Sequence, residues 1–187
     1  MNSFFNTHSG EKLDLKGLAK ELLFFINEDV LASYKITVGT DSSAGIITGD
    51  FTDFITAVVI HRKGKGGRYF WRRKSLGKFY TLRDRILNEA LLSIETAKDL
   101  VVAFYGQRAT LDQKMTVNQR TICDSNIFAS DFNEGFSWNF EIHVDIGQNG
   151  ETKNMISEIV GIVKANNFDV CVKPYSYAAS KVADRYS

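Results

Sequence analysis

Two stretches decide the architecture, YKITVGTD at residues 34–41 and NFEIHVDI at residues 139–146. A strand turns successive side chains to opposite faces. Lys35, Thr37, Gly39 and Asp41 therefore share one face of the first stretch, and Ile36 and Val38 the other. In the second, Glu141, His143 and Asp145 oppose Phe140, Ile142 and Val144. Each stretch predicts a strand that ends in a carboxylate on its more polar side. Each then breaks into small or polar residues, Ser42-Ser43 and Gly147-Gln148.

Outward from these strands, residues 54–61 (FITAVVIH) and 68–75 (RYFWRRKS) predict two further strands. The KGKGG turn at 63–67 joins them as a hairpin. Residues 169–173 (DVCVK) predict a short buried strand. Between the strands the period becomes helical. Leu15, Leu18, Leu22, Phe25 and Ile26 mark one face of an N-terminal helix over about 14–29, with Asp14 as its N-cap. Residues 81–84 (TLRD) resemble a capping box. It opens a helix carrying Leu82, Ile86, Ala90 and Ala97 on one side, which ends between Lys98 and Phe104. Met155, Ile156, Ile159, Val160 and Val163 mark another helix, and residues 176–185 a last one. Residues 1–12 read as polar and irregular, and residues 106–138 as an insertion of loops and a helical stretch.

Strand–helix–strand steps require parallel neighbours, and the hairpin an antiparallel edge. The expectation is a single α/β domain over residues 1–187. Its core is a mixed five-stranded sheet, an antiparallel hairpin plus parallel strands, with helices on both faces.

Composition narrows the class. The chain has 187 residues, 44% hydrophobic and 24% charged, with 14 Phe and 1 Pro. That is one ordinary globular domain without a Pro-rich linker. Cys123 and Cys171 make neither a disulfide framework nor a zinc motif. No signal peptide or spanning segment is legible, so a reduced cytoplasmic protein is expected. The net charge is +1. Residues 61–78, however, hold eight Lys/Arg and no acid, leaving 15 basic and 22 acidic residues elsewhere, a net −7. A basic island on an acidic body is more informative than the total.

In open α/β sheets, sites form beyond the carboxyl ends of parallel strands. If the strands at 34–41 and 139–146 are neighbours, Asp41 and Asp145 meet there. Such carboxylates repel unless one is protonated or a cation lies between them. Oxygen donors suit Mg²⁺ or Mn²⁺. Glu89, at the edge of its helix stripe, is either directed at Asp41 or a solvated flank residue. Asp184, with Ser176 and Ser180 at i−8 and i−4, is either part of a water-facing stripe or the rim of a site. His143 is read as a satisfied structural histidine in preference to a metal or acid–base group, and Cys171 as core packing.

These residues resemble the ribonuclease H-like fold, and more narrowly the YkuK-type family of ribonuclease H-related proteins. The motifs that carry the resemblance are GTDS (39–42), RILNE (85–89), HVDIG (143–147) and KPYSYAASKVADRYS (173–187). They run in order along the chain, and none falls in residues 106–138. The resemblance implies an acidic cluster binding two divalent ions, Mg²⁺ or Mn²⁺. Asp41 would bridge them, Glu89 and Asp145 would each ligate one, and Asp184 would be the fourth acid. A set of three acids completed by Ser180 or a water is the variant.

The function expected is a divalent-metal-dependent nuclease, or a related phosphodiester hydrolase, acting on RNA, DNA or a hybrid. The basic hairpin would supply phosphate contacts through Lys63, Lys65, Arg68, Arg72, Arg73 and Lys74. Tyr69, Phe70 and Trp71 would stack bases or pack. The other reading of the hairpin is a solvated edge whose lysines deter strand pairing. Two other functions remain: a catalytically inactive nucleic-acid-binding module of the same fold, and an actin-like ATP-binding protein. The last lacks, in 187 residues, a second domain to enclose a nucleotide.

Overall fold

The computed structural model describes residues 4–43, 51–112, 138–147 and 151–187. Among them a mixed sheet carries seven strands, two more than the five expected. They are β1 (Phe5–Asn6), β2 (Lys12–Leu13), β3 (Tyr34–Ser42), β4 (Phe51–Arg62), β5 (Gly67–Gly77), β6 (Trp138–His143) and β7 (Asp169–Cys171). Their order across the sheet is β2-β1-β5-β4-β3-β6-β7. The additions are β1 and β2, in the stretch read as irregular. Two residues each are too few to show a period, and β1 joins the sheet by one pairing, Asn6 with Trp71. The five longer strands stand where the alternation placed them, but β6 stops at His143, so Asp145 lies two residues beyond it, and β7 stops at Cys171 and is exposed to half-buried.

The β4–β5 hairpin closes through Gly64 and Gly66, with φ of 77° and 83°, conformations open to glycine. Strand β3 pairs antiparallel with β4 and parallel with β6, with Gly39 opposite His143. Continuing that parallel register brings Asp41 level with Asp145.

Three helices follow, α1 (Leu15–Asn27), α2 (Leu82–Asp112) and α3 (Ile156–Ala165). Asp14 caps α1 by accepting from the Gly17 N–H at 2.7 Å. Thr81 caps α2 by accepting from the Asp84 N–H at 3.0 Å. Helix α2 runs past its expected end into the segment read as an insertion; residues 113–137, Cys123 among them, lie outside the described residues. These helices cover one face of the sheet. There Ile36, Val38, Val58, Ile60, Phe140 and Ile142 pack with Leu18, Leu22, Ile86, Ala90 and Ala97 in the main core. No helix among the described residues is long and apolar enough to cross a membrane.

The opposite face is covered by the chain's last residues. The regular helix expected over 176–185 is instead a π-helix, Ala178–Ala183, followed by a 3-10 turn, Asp184–Tyr186. The wider winding breaks the i−4/i−8 stripe: Ser176 is buried while Asp184 is exposed. Ala183 packs on Ile55 and Ala57 with Trp71, Val182 and Tyr186 around it. One row across four strands, Trp71, Ala57, Gly39 and His143, lies under this segment. Its two small members clear a lane for the π-helix backbone.

Candidate functional site

Of the predicted carboxylates, Asp41 at the end of β3 feels the charges of Asp145 and Asp184, and Glu89 on α2 feels those of Asp41 and Asp145. Burial pushes Asp41 above its ordinary range, and the charges of Asp184 and Asp145 push it further. A hydrogen bond with the Ser187 side chain and one from the Ser42 backbone pull the other way. Glu89 is 5% exposed, so it is not a solvated flank residue. Burial, first, then the charges of Asp41 and Asp145, raise its carboxyl to about 7 against the pull of Ser42 and Arg85. Loss of hydration and like charge both disfavour ionisation, and here they act together.

Glu89 is held by the residue after Asp41. Its Oε1 accepts from the Ser42 backbone N–H at 3.1 Å and from the Ser42 hydroxyl at 2.6 Å. Arg85, one turn earlier on α2, donates Nε to the Ser42 hydroxyl at 3.0 Å and Nη2 to the Ser42 carbonyl at 3.0 Å. A guanidinium only donates. The Ser42 hydroxyl therefore accepts from Arg85 and must spend its own proton on Glu89. Ser42 and Arg85 were legible only as letters of GTDS and RILNE; their role as a clamp comes from the packing of α2 on β3.

The clamp opens a buried polar seam along α2. Ser93 donates to Thr40 at 2.8 Å, Thr40 shares a hydrogen bond with Thr56 at 3.0 Å, and Arg72 donates to Thr96 at 2.8 Å. All five residues are buried; pairing makes the burial of the hydroxyls tolerable, while Arg72 Nε stays without a hydrogen-bond partner.

Asp145 follows β6. Its Oδ2 pairs with the Lys173 ammonium at 2.9 Å. Its Oδ1 is buried with no hydrogen-bond partner. An orphaned carboxylate oxygen inside a cluster of acids is an acceptor without a donor, the state a cation relieves.

A second group lies two residues back on the same face. Ligand atoms of Glu141, His143 and Cys171 lie within 4.8 Å of one another. His143 is buried, accepts at Nδ1 from the Ala178 backbone N–H at 3.1 Å, and faces Glu141 Oε2 through Nε2 at 2.8 Å. With Nδ1 an acceptor, the ring proton sits on Nε2 and is given to Glu141. Lys35 also pairs with Glu141. Burial alone would raise Glu141, but His143 and Lys35 bring it below its ordinary range. A metal on Nε2 would have to displace that proton, so the ring is committed to holding Ala178. His143 is thus the satisfied structural histidine expected, and it anchors the segment that carries Asp184. Cys171 is half-buried on the edge strand β7, more open than core packing implies.

The basic hairpin is largely engaged within the molecule. Arg68 pairs with Glu28 at 2.8 Å and with Glu21 at 3.4 Å, Lys65 with Asp29 at 2.8 Å, and Lys74 with Glu95 at 3.5 Å. Arg73 donates to the Tyr186 carbonyl at 2.9 Å. Arg72 is buried, with its guanidinium over the Phe5 ring at 4.9 Å, and serves the core. Phe70 is buried. Trp71 stacks on Tyr186 with centroids 4.4 Å apart and Tyr69 bonds the Tyr186 hydroxyl at 3.1 Å. Lys63 is exposed.

A mixed sheet with a central antiparallel strand pair, a parallel continuation and acids at the parallel strand ends defines a class, and sequence comparison agrees. The chain belongs to the ribonuclease H-like family, whose model matches residues 18–187. Within it the chain is of the YkuK type. The uncharacterized protein YkuK of Bacillus subtilis (strain 168) is 29% identical over 185 residues, covering 98% of this chain and 96% of the relative. No solved structure gives a significant match.

Proposed function

We propose that the protein is a divalent-metal-dependent nuclease, or a related phosphodiester hydrolase, acting on nucleic acid. Its metal ligands would be Asp41, Glu89, Asp145 and Asp184. The observation that carries this reading is that the β3–β6 register brings Asp41 level with Asp145, whose Oδ1 is buried and unpartnered; the charges of Asp145 and Asp184 also bear on Asp41, and those of Asp41 and Asp145 on Glu89. Family membership supports nucleic acid as the substrate class.

The donor set fits Mg²⁺ or Mn²⁺. It is all oxygen, it includes the orphaned Asp145 Oδ1, and it includes a glutamate that keeps a proton to about pH 7. A pair of such ions supplies an activated water and charge stabilisation of the leaving oxygen. The chain's own contribution is placement. Ser42 and Arg85 fix Glu89, leaving its Oε2 for a cation. His143 and Gly39 hold the C-terminal segment that carries Asp184, whose charge bears on Asp41. The exposed hairpin cations Lys63, Lys65 and Arg73 are the candidates for phosphate contact, with Arg68 and Lys74 beside them.

The test is a cleavage assay on single- and double-stranded DNA, RNA and hybrid with Mn²⁺ or Mg²⁺, beside calorimetric Mn²⁺ titration. The expected result is cleavage that chelation stops and that Asp145→Asn abolishes while the fold persists. Oligonucleotide binding without metal uptake or cleavage would overturn the hydrolase and favour the non-catalytic module.

A further inference from the structure

Lys173 pairs with Asp145 at 2.9 Å while half of its own side chain stays exposed. Its base is fixed and its tip is not. The Lys173 N–H donates to the Ile146 carbonyl at 2.9 Å. Its Cβ lies 3.3 Å from where a Cβ on Gly147 would stand. The stem is thereby tied to the strand end that carries Asp145. The ammonium, on a flexible four-carbon chain, can leave the carboxylate for solvent without disturbing the core. It satisfies only Oδ2, and Oδ1 stays buried and unpartnered. A permanent structural ion pair buried for stability would satisfy both oxygens.

We propose that Lys173 is the resident counter-cation of the acidic site, competing with a divalent ion for Asp145 and so setting the site's metal affinity. The inference rests on the metal-site reading above. An ammonium on Oδ2 and a divalent ion on the free Oδ1 of one carboxylate repel each other, so metal entry favours turning Lys173 outward. The tether then keeps its positive charge at the mouth of the site, where a phosphodiester would approach. Lys173 is thus a positioning residue for charge, and its removal should make metal uptake easier.

The experiment is calorimetric Mn²⁺ titration of the wild type, Lys173→Met, Lys173→Arg and Lys35→Met. Removal of one partly exposed pairing should tighten Mn²⁺ binding by roughly two- to fivefold in Lys173→Met. Lys173→Arg keeps the charge and should bind as the wild type does. Lys35→Met, which removes a cation paired with Glu141, controls for the general field of the protein. Wild-type binding with no tightening in Lys173→Met, or equal tightening in Lys35→Met, overturns the role of Lys173 and leaves the metal site standing. Absence of Mn²⁺ binding in the wild type and in Lys173→Met alike overturns both.

Discussion

Gly39 lies directly under Ala179: a Cβ on Gly39 would fall 2.5 Å from the Ala179 backbone nitrogen and 2.9 Å from the Ala178 carbonyl carbon. Both are main-chain atoms, so no side-chain rotation can make room. Gly39→Ala should lift the C-terminal segment off the sheet and weaken the His143 hydrogen bond to Ala178. A cost of about 1–3 kcal/mol is expected for overpacking of this kind. Hydrogen exchange should accelerate across residues 177–186 more than in α2. Unchanged exchange there would show that the segment does not depend on close approach at Gly39.

The stability of the metal-free protein should fall as pH rises from about 4.5 to 7. Glu89 titrates near 7 when folded against an ordinary 4.5. Between those values the folded state holds a proton that the unfolded state has released, so stability decreases with pH. It is fully present below 4.5 and lost by the time pH has passed 7. For a residue this buried the full effect is of order 2–3 kcal/mol. Asp41, also raised, acts in the same direction. Chemical denaturation across pH should show the decline, and Glu89→Gln should flatten most of it. An equally steep decline in Glu89→Gln would assign the titration elsewhere.

How much of this was legible in the sequence follows from the range of each interaction. Strands β3 to β7 announced themselves because alternation over several residues is a local property. The placing of Asp41 at the end of β3 came with it, and so did Asp145, though two residues past the end of β6. Strands β1 and β2 did not, since two residues carry no period. Glu89 stood at the edge of its stripe, but its burial depends on Ser42, 47 residues away. The polar residues Ser93 and Thr96 hid the width of the buried face of α2, because their partners Thr40 and Arg72 belong to the sheet. The π-helix Ala178–Ala183 packs closely on Gly39 and Ala57, a tertiary contact that no helical period encodes. The excess charge of the hairpin was visible; its neutralisation by Glu28 and Asp29 at the end of α1 was not.

Ser42→Ala should raise the Glu89 titration further. The variant keeps the backbone N–H bond at 3.1 Å and loses the hydroxyl at 2.6 Å, the donor that most favours the ionised form. It also strips Arg85 Nε of its acceptor. A loss of about 1–3 kcal/mol is expected from the unsatisfied buried groups. The pH–stability decline should extend to higher pH than in the wild type, and Mn²⁺ binding near neutral pH should weaken. A decline that keeps its wild-type pH range would show that the hydroxyl does not hold Glu89.

The hairpin cations should separate into two classes by salt dependence. Arg73 and Lys63 are exposed, whereas Arg72 is buried between Thr96 and the Phe5 ring. If nucleic acid lies along the hairpin, each phosphate contact removed should reduce the slope of log affinity against log salt by roughly 0.7–0.9. Lys63→Ala should do so with little change in thermal stability, and Arg73→Ala with the small added loss of its bond to the Tyr186 carbonyl and its pairing with Asp53 at 3.5 Å. Arg72→Leu should leave the slope intact and cost stability instead, because burial already holds its guanidinium below its ordinary range and its partners are internal. Fluorescence anisotropy of a labelled oligonucleotide over a salt series, with thermal melts of each variant, reads both effects. A slope altered by Arg72→Leu and untouched by Arg73→Ala and Lys63→Ala would move the nucleic-acid path away from the exposed edge of the hairpin.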